Sequence, residues 1–147
     1  MIRGALSHLD LTITNPHQSV PFYDAVLPLL GYRRVPVDDH TTAAACWSIT
    51  DAHQSAFSIA LEPARATAKQ QAYNRYSPGL HHLAFHVDSR ADVDHLYTQL
   101  IALDITIQEP PAEYTYTPGY YAFSCRDPDG IVLEFVYEPQ HRGRVTG

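Results

Sequence analysis

The sequence predicts an α+β fold made of two copies of one β-α-β-β-β module, on three observations. Residues 6–13 read Leu-Ser-His-Leu-Asp-Leu-Thr-Ile and residues 80–87 read Leu-His-His-Leu-Ala-Phe-His-Val. One short strand therefore recurs 74 positions on, with a histidine, His8 and then His82, at the same place. Each copy is followed by an amphipathic helix with its own start signal, and each helix by three strand-like segments. Repetition at half the chain length marks a fold assembled from two units. If the units pair about a pseudo-twofold, their curved mixed sheets enclose a cavity and bring the two histidines together.

The first helix has Asn15 as a natural cap and Pro16 at the first helical position, where its missing N–H costs nothing. Val20, Phe22, Tyr23, Val26, Leu27 and Leu30 follow at helical spacing, and Gly31 stops the run. In the second copy Ser89 and Asp92 form a variant capping box, with Asp where Glu or Gln is usual. Val93, Leu96, Tyr97, Leu100 and Leu103 repeat the stripe, so that Phe22 matches Leu96, Tyr23 matches Tyr97 and Val26 matches Leu100. The strand-like pieces are 32–37, 42–50 and 56–61 in the first half and 105–108, 120–125 and 131–137 in the second. The expected organisation is a first module over 1–62, a linker rich in Ala, Gln and polar residues over 63–79, a second module over 80–140, and a frayed tail over 141–147.

Composition narrows the function classes. The 147 residues are 45% hydrophobic and 18% charged, which is ordinary for a soluble globular protein. Net charge is −6, and the basic residues are one lysine, Lys69, and nine unclustered arginines. Neither a nucleic-acid surface nor an anionic membrane surface is expected. No apolar run approaches the roughly 20 residues that span a bilayer, and the N-terminus lacks a signal-peptide core. Cys46 and Cys125 fit no disulfide framework, so a cytoplasmic location is expected and both read as small apolar strand residues.

Alternation along the strands sorts side chains onto faces. Leu9, Leu11 and Ile13 share one face of the first strand, and His8, Asp10 and Thr12 the other. Leu83, Phe85 and Val87 oppose His82, Ala84 and His86. In the last strand Ile131, Leu133, Phe135 and Tyr137 belong under the helix, which leaves Glu134 on the histidine face. A carboxylate in an otherwise apolar strand is costly unless paired or coordinated. His8, His82 and Glu134 thus form a two-histidine, one-carboxylate set suited to Zn, Ni, Fe or Mn, with open positions for water or substrate. Such an ion acts as a Lewis acid or lowers the pKa of bound water.

These residues resemble the vicinal oxygen chelate superfamily, which includes glyoxalase I, extradiol dioxygenases, fosfomycin-resistance enzymes and bleomycin-binding proteins. The likeness covers nearly the whole chain. It is carried by Ser7-His-Leu-Asp-Leu-Thr-Ile with the Ser19-Val-Pro-Phe-Tyr helix, by His81-His-Leu-Ala-Phe-His-Val, and most specifically by Asp127-Pro-Asp-Gly-Ile-Val-Leu-Glu. The resemblance implies metal ligands at His8, His82 and Glu134. Departures narrow the subfamily. Glyoxalase I has a fourth ligand where this chain has Ala60, and Glu62 would need a register slip to serve. Extradiol dioxygenases place a tyrosine ten residues before the glutamate, where this chain has Ser124. Fosfomycin-type enzymes use lysine and a Ser/Gly loop where this chain has Glu113-Tyr-Thr-Tyr-Thr-Pro-Gly-Tyr-Tyr.

That tyrosine-rich segment suits a pocket for a flat or apolar small molecule, through Tyr114, Tyr116, Tyr120 and Tyr121 around the Pro118-Gly119 turn. It reads equally as a loop or hairpin packed against the sheet or a dimer partner. His86 is the nearest acid–base candidate, or a satisfied strand histidine. Trp47 lines the cavity or fills the core. Tyr73, Asn74, Arg75 and Tyr76 supply a lid or an anion contact, or are plain linker. The expected protein is a homodimeric, divalent-metal-dependent enzyme of lyase, isomerase or ring-cleaving dioxygenase type, acting on a small substrate that chelates through two oxygens. The competing expectation is a metal-free protein that sequesters a small aromatic ligand.

Overall fold

Asn15 and Ser89, 74 residues apart, do the same work in the two halves of the chain. The Asn15 side chain accepts the His17 N–H at 3.1 Å, and Ser89 Oγ accepts the Asp92 N–H at 3.1 Å, each opening a helix. The computed structural model describes residues 6–51, 56–68 and 72–139. The tail expected over 141–147 lies outside the described residues. The chain divides between Ala72 and Tyr73 into two units.

In the first unit the order is β1 (His8–Ile13), α1 (Pro16–Val26), a 3₁₀ turn (Leu27–Leu30), β2 (Arg33–Val35), β3 (Ala45–Thr50) and β4 (Ala56–Pro63). Its four-stranded sheet is ordered β1-β4-β3-β2, with β1 parallel to β4 and the other pairs antiparallel. The second unit repeats it with β5 (Leu83–His86), α2 (Arg90–Ala102), β6 (Ile107–Glu113), β7 (Tyr121–Arg126) and β8 (Val132–Tyr137), ordered β5-β8-β7-β6. Both sheets are mixed and open.

The repeat extends to register. Leu9 pairs with Ile59 and Leu83 with Leu133, while Leu11 pairs with Leu61 and Phe85 with Phe135, each at the same offset. Alternation then separates the faces as expected. Leu11, Ile13, Ile59 and Leu61 are buried beneath α1 residues Tyr23 and Val26, while His8, Asp10 and Thr12 are exposed. In the second unit Val93, Leu96 and Leu100 of α2 cover a core containing Phe123, Leu133 and Phe135, and the Phe123 and Phe135 rings stack 4.8 Å apart.

β6 departs from expectation. The strand expected over 105–108 instead runs from Ile107 to Glu113, through Pro110 and Pro111. β6 is the edge of its sheet, where a missing N–H on the open side breaks no ladder bond. Two register shifts, between Ile107 and Glu109 and between Glu109 and Ala112, accommodate the prolines. The Asp127–Gly130 turn delivers the chain into β8. Asp127 Oδ1 accepts the N–H groups of Asp129 at 2.9 Å and Ile131 at 2.7 Å. Gly130 takes φ +89°, which an L side chain adopts only with strain.

Candidate functional site

The second unit holds a cavity of about 430 Å³ whose wall carries the charged residues Arg75, Glu109 and Glu134 with His81 and His82. β8 supplies Glu134, directly opposite Ala84 on β5 and Ser124 on β7. His82 lies one residue before β5 and reaches Glu134, with Nε2 3.1 Å from Oε2. The other carboxylate oxygen accepts the Tyr120 hydroxyl at 2.5 Å, in the range of a charge-assisted O–H···O⁻ bond. Burial, then this bond to Glu134, raises the Tyr120 pKa, so the phenol stays protonated and remains a donor.

A chain of hydrogen bonds continues behind His82. Its Nδ1 lies 2.7 Å from His81 Nδ1, and Arg75 Nε donates to His81 Nε2 at 3.2 Å. An acceptor at His81 Nε2 places that ring's proton on Nδ1, facing His82. His82 Nδ1 is then the acceptor, and its Nε2 carries the proton that meets Glu134. These tautomers satisfy the chain from Arg75 Nε through His81 and His82 to Glu134 but not the approach of Arg75 Nη2 to His81 Nδ1 at 3.3 Å. An ion at His82 Nε2 would take the place of the proton there. Desolvation, with the nearby Arg75 charge and His82, lowers the His81 pKa in the same direction.

Three tyrosines form an aromatic part of the wall. The rings of Tyr114 and Tyr116 stack 5.6 Å apart, and Tyr120 stands edge-on to both at 6.0 and 5.3 Å. Tyr114 donates to Glu109 Oε2 at 2.9 Å, and burial with that bond pushes its pKa up to about 12. The segment is held as a turn: Tyr120 N–H meets Thr117 O, Tyr114 N–H meets Tyr120 O, and Thr117 Oγ1 donates to Glu138.

The structure thus gathers His82, Glu134, Tyr114, Tyr116 and Tyr120 of the sequence candidates. Tyr121 points elsewhere: its hydroxyl donates to Asp94 of α2 at 2.7 Å and Arg90 lies over its ring. His86 is an exposed β5 residue opposite Val136. Trp47 is fully buried in the first unit, its Nε1 donating to Asp24 at 3.0 Å. His8 stands on the exposed face of β1 with Nδ1 2.7 Å from Ser7 Oγ. Glu62 pairs in register with Thr12 and accepts the Thr42 hydroxyl. Within each unit, among the described residues, no three His, Cys, Asp or Glu side chains cluster as a metal site.

Sequence reasoning missed Glu109, one residue past the end of the strand expected over 105–108, and His81, which alternation alone assigns to the opposite face from His82. It also missed the reach of Tyr120. The position ten residues before Glu134 is Ser124, but a hydroxyl from fourteen residues before arrives at the carboxylate.

A sequence model of the Glyoxalase/Bleomycin resistance protein/Dioxygenase superfamily matches residues 5–135. The chain is 26% identical over 132 residues to the uncharacterized protein YqjT of Bacillus subtilis (strain 168), spanning 89% of this chain and 97% of that one. A crystal structure of a Bacillus halodurans protein superposes with TM-score 0.74 at 25% identity, over 91% of this chain and 96% of the other. The glyoxylase/bleomycin resistance protein/dioxygenase domain from Frankia sp. EAN1pec superposes at 0.63 with 20% identity, over 92% and 97%. No described helix is long and apolar enough to cross a membrane.

Proposed function

The chain belongs to the Glyoxalase/Bleomycin resistance protein/Dioxygenase superfamily, and from that premise we propose that it is a divalent-metal-dependent enzyme acting on a small, oxygen-chelating substrate. The supporting observation is the His82–Glu134 pair. Two donors about 2.1 Å from a shared ion, at a right angle, stand about 3 Å apart, and these two are 3.1 Å apart. Neutral imidazole and carboxylate suit Zn, Ni, Fe or Mn. His8, the repeat equivalent of His82, is the third ligand on the strength of the repeat and the family resemblance.

Bound there, a divalent ion would supply Lewis-acid stabilisation of negative charge developing on substrate oxygen. The protein's own part is legible in the hydrogen bonds. His81 orients the His82 ring through Nδ1, and Tyr120 holds the Glu134 carboxylate. The tyrosine wall provides stacking surface for a flat substrate and limits water around it.

Metal analysis of protein purified without chelator tests the reading. Near-stoichiometric metal is expected, with losses in His82→Ala, Glu134→Ala and His8→Ala and a rise in Tm on adding the ion to the wild type. Below ~0.2 equivalents of any transition metal, with no thermal shift, the enzyme reading fails. Full metal content in His8→Ala would remove that residue alone from the set. A second reading has its own observation: Glu134 is already satisfied by Tyr120 and His82 without an ion. Tight binding of a neutral aromatic by metal-free protein, unaffected by added metal, would favour sequestration over catalysis.

A further inference from the structure

A second cavity of about 220 Å³ lies beside the first in the same unit, and Arg75 and Val132 line both. We propose that it is an oxyanion subsite, built by Arg75 and Arg126, that binds a carboxylate or phosphate group of the substrate. As a statement about the substrate, this rests on the proposed reading of the larger cavity; the subsite itself stands on its own residues.

The chemistry of the wall is one-sided. Arg126 donates through Nε to Gln108 Oε1, so its terminal N–H groups are left over and the Gln108 amide oxygen is engaged. Asn74 Oδ1 accepts the Tyr76 N–H at 3.0 Å. Tyr73 spends its hydroxyl proton on Leu80 O at 2.5 Å. What these side chains retain for a guest is chiefly N–H donors, carried by two guanidinium groups and two amides. None of the described lining residues is acidic. Asp127, next in sequence to Arg126, has Oδ1 occupied by two backbone N–H groups. Neither arginine has a carboxylate within ion-pair distance among the described residues.

Two guanidinium groups lining one cavity without a carboxylate partner repel each other, and in a protein of net charge −6 such a pair has ample acids from which to draw one. Their juxtaposition is accounted for by an anion that arrives with the ligand, since guanidinium groups match the paired oxygens of carboxylate and phosphate. Arg75 is the hinge of the arrangement. Its Nε and Nη2 both approach His81, which holds His82, and its remaining guanidinium N–H groups border the second cavity. A substrate with its chelating oxygens toward Glu134 would thus place an anionic substituent against Arg75 and Arg126.

The test is titration of chelator-treated, full-length protein with inorganic phosphate and, separately, with sodium acetate, against sodium chloride at matched ionic strength, followed by NMR shifts. Saturable binding of at least one oxyanion in the millimolar range is expected, phosphate preference indicating a phosphoryl group and acetate preference a carboxylate. Arg126→Gln and Arg75→Gln should each weaken it at least about tenfold, as loss of a charge-assisted bidentate contact does. Arg126→Lys, keeping charge without the fork, should fall between. No saturable response to either oxyanion, or glutamine variants that bind like the wild type, would overturn the proposal. Should Arg126→Gln not fold, Arg75→Gln decides. Metal uptake by the wild type is measured separately. Oxyanion binding without metal uptake sinks the metal reading alone, and metal uptake without oxyanion binding sinks the subsite alone.

Discussion

At the scale of single residues, Glu134 decides most. An acid on a central strand has to be satisfied, and the structure does so twice, with an imidazole on one oxygen and a phenol on the other. The phenol is a donor that does not titrate near neutrality, because burial and the carboxylate raise its pKa. Removing it leaves Glu134 able to rotate away from His82. We expect Tyr120→Phe to lower metal affinity about tenfold to a hundredfold, as loss of a partner behind a metal ligand commonly does. Competition against a chromophoric chelator measures this directly. Tyr116→Phe is the control, because Tyr116 contributes ring contacts to the wall and its hydroxyl does not touch Glu134; it should stay within about twofold of wild type, well inside the outer-shell effect. Equal affinities for wild type and Tyr120→Phe would remove the hydroxyl from the site's machinery.

Elements explain why some of the site was legible and some was not. Strand alternation placed Glu134 correctly, since a period of two needs no tertiary information once the register of one apolar face is known. The helix caps were equally visible, because Asn15 and Ser89 are local signals. The extent of β6 was not visible in this way, because it runs through Pro110 and Pro111: a proline is tolerated in a strand only at an edge or bulge, and edge status depends on sheet order, which no local pattern reveals. That shortfall cost Glu109, whose carboxylate lies on the extended part of that strand. The Asp127 turn was legible as a turn, though its hydrogen bonds were not. With Asp127 Oδ1 accepting two N–H groups in a buried setting, Asp127→Ala should cost about 2–3 kcal/mol in urea unfolding. Asp127→Asn, which keeps an oxygen in place, should recover most of it. A loss in Asp127→Ala below about 0.5 kcal/mol, the scale of a surface substitution, would mean the turn holds without its side chain.

At the scale of the whole molecule the repeat and its one break matter most. The pair Asp10–Ala60 in the first sheet is equivalent to Ala84–Glu134 in the second. Each sheet therefore has one acid and one alanine at this point, on opposite strands, and only the second acid extends from the central strand. The missing glutamate at Ala60 was readable from the offset alone; that its counterpart acid had moved to the neighbouring strand required the pairing. The arginine pair was beyond sequence reasoning, since Arg75 and Arg126 are 51 positions apart and meet only through the fold. A further property belongs to the chain as a whole. Burial raises Tyr32 in the first unit and Tyr73 and Tyr114 in the second, and moves the Cys125 thiol from its ordinary value of 9.0 to about 12. All of these are acids that the native state keeps protonated more tightly than the unfolded chain does. Their contribution is full below pH 9, where both states hold the protons, and is lost as pH rises from about 9 toward 12, where the unfolded chain ionises first. Tm should therefore fall steadily over this range, with Cys125 alone contributing a slope on the order of 1 kcal/mol per pH unit. Cys125→Ala should start from a lower Tm, because it leaves a small void, yet decline less steeply between pH 9 and 10, before the tyrosines ionise in the unfolded chain. Circular-dichroism melts at half-unit steps would distinguish the two curves. Parallel slopes for wild type and variant would show that the buried thiol plays no part in alkaline unfolding.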